Sequence, residues 1–419
     1  MNGRGERRRE RGRRWAGRSG PPLARLLVAV LVLVSGALMF CAAASARQFV
    51  VTSSGDQGDA NPGNGFCATP GMFASCTLRA AVEEANAYPG ADEIVIGAGT
   101  ISLASGQLSI DDDVSIRGAG ARQTIVRTNG GGHRIAQVGP SIAVTISDLT
   151  LRGGGGAQTS VGGAVFNSGD LVLTRVWLDA NRAASCGAVY VTGSLLVRDS
   201  TLTANFSYAA GGAGGALCLV NGAVATLINA TLHGNAASEG GAIFTTGMQS
   251  SLELYSCTFI DNVDTEPTGR PSSALEIGLG ALHLDKTLIV GSCAFARVLP
   301  ARDHRAVTSN GGNIESPGEG CLLGAPGDLN LVARRDLHLG TLGDYGGPVP
   351  TVLPGTLSVA VEPPLSGAAC SAEDARGAPR VGRCDVGAVE RQLGDPESGP
   401  LFEDDWESGD LSAWSAAAP

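Results

Sequence analysis

The 419-residue chain contains one lysine, Lys286, and five histidines scattered at 133, 233, 283, 304 and 338, and only 5% of it is aromatic. It has no CxxC pair, which argues against a structural zinc site. No G-x-S-x-G elbow and no phosphate-binding loop occurs, so the hydrolase and nucleotide-binding signatures are missing too. Charged residues make up 17% against an apolar share of 43%, so the chain is poor in charge yet apolar enough to build a core. What it holds in excess is glycine: 61 residues, about twice the usual ~7% share. Such a chain is rich in turns and poor in large side chains.

Basic residues concentrate at the start. The first 25 residues carry nine Arg against two Glu, and Leu26 to Ala46 carries no charge and ends in the small residues Ala44 and Ala46. Basic start, apolar middle and small-residue exit are the layout of a secretory signal, and 1–46 is read as one. The competing reading is a retained membrane anchor, since the uncharged run could span a bilayer; a lipidated Cys41 fits less well behind the bulky Met39 and Phe40. Removing the leader takes +7 from a chain of net charge −10 and leaves a remainder near −17. Polyphosphates would be repelled, so no nucleic-acid partner is expected, and no membrane span after cleavage. A secreted chain should oxidise its cysteines. Cys67 with Cys76, Cys293 with Cys321 and Cys370 with Cys384 are close enough to close short loops, while Cys186, Cys218 and Cys257 stay unassigned.

Self-similarity organises the middle of the chain. A GGA-type mark places its second Gly at Gly163, Gly187, Gly215 and Gly241, with steps of 24, 28 and 26 residues. A second mark keeps the same beat: LDAN ends at Asn181, LTAN at Asn205, LHGN at Asn235 and FIDN at Asn262. Between them lie alternating β-type runs such as VTISDLTL (144–151) and LVLTRVWL (171–178). A unit of this size cannot bury its own apolar face and must stack on its neighbours, as in a parallel β-helix. The Asn series is then expected as a turn ladder in which Asn takes left-handed backbone angles and its amide bonds the Asn one rung away. The Gly pair is expected to turn the chain where a Cβ would clash, with Ile243 and Phe244 of EGGAIF filling the coil. The competing reading makes the turn edge a ligand surface.

These marks resemble the GGA[I/V/L] and FxxN repeats of polymorphic outer membrane proteins over about 161–262, with Leu for Phe in three copies and Cys186 for one Gly. That resemblance implies a surface-displayed, adhesive β-helix. Upstream, CTLRAAVEEANAYPG (76–90) reads as a helix with Arg79 reaching Glu83 at i+4 and Pro89-Gly90 as its stop. With DEIVI (92–96), VSIRGAG (114–120) and ISDLTLRGG (146–154), it is similar to the CSLREAI domain over roughly 50–155. This implies a secreted β-helix in which Arg79 and Glu83 are cap residues. Downstream, LGTLGDYGGPVPTVLPGT (339–356) and DARGAPRVGRCDVGAVE (374–390) resemble the choice-of-anchor Q domain of surface proteins.

Catalytic signals are thin. Asp111, Asp112 and Asp113 form the densest acidic run of the coil and read as a solvated turn; they lie about four or five rungs before His233, roughly 20 Å at 4.8 Å per rung. Paired catalytic carboxyls sit about 5–10 Å apart. His233 reads as exposed in a turn. Arg302, Asp303, His304 and Arg305 form the most mixed polar cluster, in an irregular stretch. Glu403, Asp404, Asp405, Glu407 and Asp410 give the tail the oxygens calcium would need, against the plainer reading of a solvated acidic tail. No other cofactor is expected.

The sequence therefore predicts an all-β chain, a right-handed parallel β-helix with a short N-terminal capping helix. Its expected divisions are a signal (1–46), an N-terminal cap and first rungs (47–128), β-helix repeats (129–320), C-terminal rungs and cap (321–393) and an acidic tail (394–419). The expected function is that of a secreted or cell-surface monomer, non-catalytic, binding an extracellular glycan or surface. The alternative is a polysaccharide lyase or glycoside hydrolase acting on acidic polysaccharides.

Overall fold

Runs in which every second residue is apolar become short strands, and those strands pair in parallel from one rung to the next. The computed structural model describes residues 46–128, 132–265, 273–295, 307–363 and 370–397. The leader up to residue 45, the Arg302–Arg305 cluster and the acidic tail residues Glu403, Asp404, Asp405, Glu407 and Asp410 lie outside the described residues.

The fold is a parallel β-helix with three main faces and a fourth, narrow stack of two-residue strands (Arg182–Ala183, Phe206–Ser207, Ala236–Ala237, Val263–Asp264) after the Asn corner. On the first, Leu171, Leu195, Ala225, Leu252 and Leu282 stand in register, and Leu173, Val197, Leu227, Leu254 and Leu284 repeat the arrangement two residues on. The second face stacks Leu178, Leu202, Leu232 and Phe259, the apolar residues that open each LxxN or FxxN mark. The third stacks Val165, Val189, Leu217, Ile243 and Leu275. All of these are at most 3% exposed. Each buried side chain contributes about 1.5–3 kcal/mol, and because a three- to five-residue strand cannot hold alone, the stacking stabilises every rung at once.

The corners explain the repeat marks. Between the first and second faces one residue per rung adopts left-handed angles: Asp148, Arg175, Asp199, Asn229, Ser256 and Lys286, with φ between 47° and 58°. At the corner after the second face the left-handed residues are Gly153, Ala180, Ala204, Gly234 and Asp261. The last four of these each precede a ladder Asn, so the expectation that Asn itself takes these angles is wrong by one position. The Asn instead turns its amide into the coil and is buried at each of the four sites. Asn181 donates both its backbone N–H and Nδ2 to Asn205 Oδ1 (3.0 Å each), and Asn205 does the same to Asn235 (3.0 and 2.9 Å). Asn235 continues the series to Asn262 (3.1 and 2.9 Å). The other Nδ2 hydrogen goes to a carbonyl one rung back, those of Leu151, Leu178, Leu202 and Leu232.

The two glycines of each mark do different work. The first position (Gly162, Cys186, Gly214, Gly240) has φ near 60°. The second is needed for close approach: a Cβ on Gly163, Gly187 or Gly215 would fall on the carbonyl oxygen of the next rung's equivalent Gly. Cys186 accepts the left-handed angle and pairs with Cys218 of the following rung, Cα–Cα 5.3 Å. Disulfides also join Cys67 to Cys76, Cys293 to Cys321 and Cys370 to Cys384, while Cys257 is buried and unpaired; burial pushes its thiol up to about 12.

Helix α1, Leu78–Ala87, begins at Thr77, whose hydroxyl accepts the Ala80 N–H at 3.0 Å. It packs against the strands at 48–51, 92–96 and 108–110. Arg79 does not reach Glu83. Its guanidinium forks onto Asp56 (2.9 and 3.2 Å) and donates to the carbonyls of Gly106 and Gln107, a set of acceptors no single helix neighbour could supply. Glu83 accepts instead from the Asp59 N–H.

No strand continues the coil in the described residues of 321–393, where further rungs were expected. That segment runs back along the second face: Arg334 pairs with Asp261, Gly387 N–H donates to Lys286 O, Ala388 N–H to Thr258 Oγ1, and Thr201 Oγ1 to Pro350 O. Arg122 and Asp344 pair at 2.7 Å at the far end of the same run. The outward residues Ile260, Leu288, Val290 and Ile314 are apolar, and Leu337, Val352, Ala360 and Val386 cover them.

Candidate functional site

Because the inward positions of each strand are spent on the core, functional groups must come from outward columns, in which neighbours are about 4.8 Å apart. One outward column of the second face reads Arg127, Arg152, Asp179, Thr203, His233 and Ile260. Arg152 pairs with Asp179 (2.7 Å) and lies 5.0 Å over the Trp177 ring; Trp177 Nε1 donates to Thr203 Oγ1, which donates to Asp179 (2.7 Å each). The column leads into a cleft of about 410 Å³ between the second face and the C-terminal segment. Its polar side chains are His233, Asp261, Arg334 and Thr341, and Ile260, Leu339 and Leu342 give it an apolar side.

The cleft is assembled from distant parts of the chain. His233 ends a strand, Thr231–His233, instead of standing exposed in a turn, and its ring is half-buried because the returning segment closes over it. Asp261 takes φ 56° at the corner, which turns its carboxylate outward while Asn262 turns in. Arg334 opens a short 3-10 helix, Arg334–Leu337, anchored by the buried Leu337. Arg334 Nη2 meets Asp261 Oδ1 at 2.7 Å, and His233 Nε2 stands 3.6 Å from the other carboxylate oxygen. Burial pushes the His233 imidazole below its ordinary range against the pull of Asp261, which favours its neutral form.

The third face carries a different outward column: Gln137, Phe166, Tyr190, Cys218, Phe244 and Glu276. Phe166 and Tyr190 stack at 5.1 Å, Arg134 lies 5.2 Å over Phe166, and Gln107, Gln137 and Arg134 are joined by hydrogen bonds at that end. The three rings are half-buried. Phe244 therefore does not fill the coil. Of the pair Ile243 and Phe244 it is Ile243 that points inward, since successive strand residues face opposite ways. On the first face Glu253 stands beside His283 and Tyr255 beside Asp285 in register. Asp111 is exposed and Asp112 and Asp113 half-buried in the turn after the strand Leu108–Ile110; Asp113 Oδ1 accepts from Ala143 N–H of the next rung. Among the described residues no group of three or more His, Cys, Asp or Glu could hold a metal ion, and no helix is long and apolar enough to cross a membrane.

Outside the cleft, 370–397 is held by a buried ionic network. Arg380, fully buried, donates to Asn229 Oδ1 (3.1 Å), the carbonyls of Gly387 and Asp385, Ser371 Oγ and Glu390 Oε2 (3.4 Å). Asp374 accepts from Arg376 Nε and Glu390 N–H. Burial pushes the Asp385 carboxyl up to about 6, against the pull of backbone N–H bonds from Arg391 and Glu362. A raised acid favours its protonated form in the folded state, so its contribution is complete below about pH 4 and is lost as the pH rises through about 6. Asp385→Asn removes this dependence. Between about pH 4 and pH 8 its stability relative to wild type should rise by up to about 3 kcal/mol, on top of any constant cost of the lost acceptor, as read by denaturation at several pH values.

Of the groups singled out in the sequence, only His233 contributes to the cleft; Asp261 and Arg334, 73 residues apart, carry no linear signal of meeting. The chain matches no family model, no curated protein and no solved structure.

Proposed function

We propose that the protein is a secreted or cell-surface β-helix that binds an extracellular glycan without transforming it. The observation that carries this reading is the outward column of Phe166, Tyr190 and Phe244, flanked by Arg134, Gln137 and Gln107. Half-exposed rings repeated along a rigid axis leave apolar edges in solvent against which a glycan laid along the column can pack its C–H groups, with amide and guanidinium donors beside them for hydroxyls. Four disulfides support an oxidising location. The resemblances to surface-protein families point the same way.

The aromatic column predicts that Phe166→Ala combined with Tyr190→Ala lowers retention on insoluble polysaccharides at least tenfold while leaving the fold intact. Equal retention by the double variant would remove the basis of the reading. The alternative, a lyase or hydrolase of acidic polysaccharides, would find an imidazole and a carboxylate in the second-face cleft, but the guanidinium there, Arg334, is already paired with Asp261, which favours the binding reading. Turnover of polygalacturonate or alginate, followed by absorbance of unsaturated products or by reducing ends, would establish it in place of pure binding.

A further inference from the structure

We propose that the cleft at His233, Asp261 and Arg334 is a subsite for one neutral sugar ring; this rests on the glycan-binding reading and adds the class of sugar. Its polar groups, His233, Asp261, Arg334 and the Thr341 hydroxyl, differ in character. Asp261 accepts, Arg334 donates and the neutral imidazole can do either, which suits hydroxyls that donate and accept at once. Ile260, Leu339 and Leu342 supply an apolar side for the C–H face of a ring.

Charge selects against acidic sugars. Arg334 is already paired with Asp261 at 2.7 Å, so the cleft offers no net positive charge to a carboxylate or sulfate. An anion there would also face the Asp261 carboxylate, 44% exposed, on a chain of net charge −10. Beyond His233 the column runs past the buried Thr203 to the Asp179–Arg152 pair, so a polymer leaving the cleft would next meet a carboxylate and a guanidinium that are themselves paired.

The test titrates methyl glucoside, methyl galactoside, methyl mannoside, galacturonate and glucuronate into the full chain, with saturation-transfer NMR to detect contact. The variants Asp261→Ala, Arg334→Ala and His233→Ala run beside Met248→Ala, an exposed position outside both the cleft and the aromatic column. Expected is millimolar binding of at least one neutral glycoside, weakened about tenfold or more by Asp261→Ala and Arg334→Ala and unchanged by Met248→Ala, with uronates binding more weakly. Uronates binding as tightly as the neutral glycosides would overturn the inference. So would binding indifferent to Asp261 and Arg334, or no neutral glycoside bound at ~100 mM, well beyond the weakest useful affinities. Polymer retention that depends on Phe166 and Tyr190 reads the glycan-binding proposal separately, so either can fail alone.

Discussion

An Asn205→Asp variant should lose about 4 kcal/mol of local stability at pH 8. Asn205 is fully buried, and its Nδ2 donates to Asn235 Oδ1 at 2.9 Å and to Leu178 O at 3.1 Å. Aspartate would set an oxygen against both of these acceptors, with no donor to offer and no water to replace it. Its Oδ1 partners, the Asn181 N–H and Nδ2, could still be satisfied, so the damage lies on the donor side. The carboxyl would be forced toward its neutral form, which restores one donated bond, so the variant should be more stable at pH 4 than at pH 8. Because a stacked array opens rung by rung, the readout is hydrogen exchange: amides of 178–181, 202–205 and 232–235 should exchange about a thousandfold faster at pH 8. Unchanged protection there would mean the ladder contributes nothing to holding the corner.

Replacing Arg380 by Met should cost about 3–5 kcal/mol and release the C-terminal segment without melting the coil. Its guanidinium satisfies Asn229 Oδ1, two carbonyls and Glu390 inside a fully buried site. Methionine fills much of the volume but leaves Glu390 and Asp374 without that counter-charge and Asn229 Oδ1 without this donor. Glu390 keeps its N–H bonds from Val381 and Asp385, so the loss concentrates on docking against Asn229. Limited proteolysis should cut within 370–397 while the strands of 143–265 stay resistant, and the cleft should lose sugar binding together with its Leu339–Leu342 wall. A segment that stays protected would show that the apolar contacts of Val352, Ala360 and Val386 suffice.

The stacking of the coil was legible because two marks recur in phase. Leu178, Leu202, Leu232 and Phe259 are written at the same distance before Asn181, Asn205, Asn235 and Asn262, and any register that buries one set buries the other. The left-handed corner residue was not legible, since Ala180, Ala204, Gly234 and Asp261 share no chemistry. Only the backbone path shows that the position before the Asn turns. Phe244 was misread for a related reason: apolar character alone does not tell which side of a strand a residue occupies, whereas the alternation of Ile243, Phe244 and Thr245 does.

Pairwise properties needed the third dimension. Cys186 and Cys218 are 32 residues apart and Cys257 is 39 further on; rung geometry brings the first two together and buries the third alone. In the same way, consecutive apolar residues such as Phe259 and Ile260, or Leu288 to Val290, record that both sides of those strands are covered, but not by what. Local periodicity by itself determined the solenoid, its repeat and its core, because each of those depends on spacings that every rung restates. The return of 321–363 and 370–397 over the second face, and with it the cleft of His233, Asp261 and Arg334, was decided only in the tertiary structure. Those contacts occur once, between segments dozens of residues apart, and a single long-range meeting leaves no period in the chain to read.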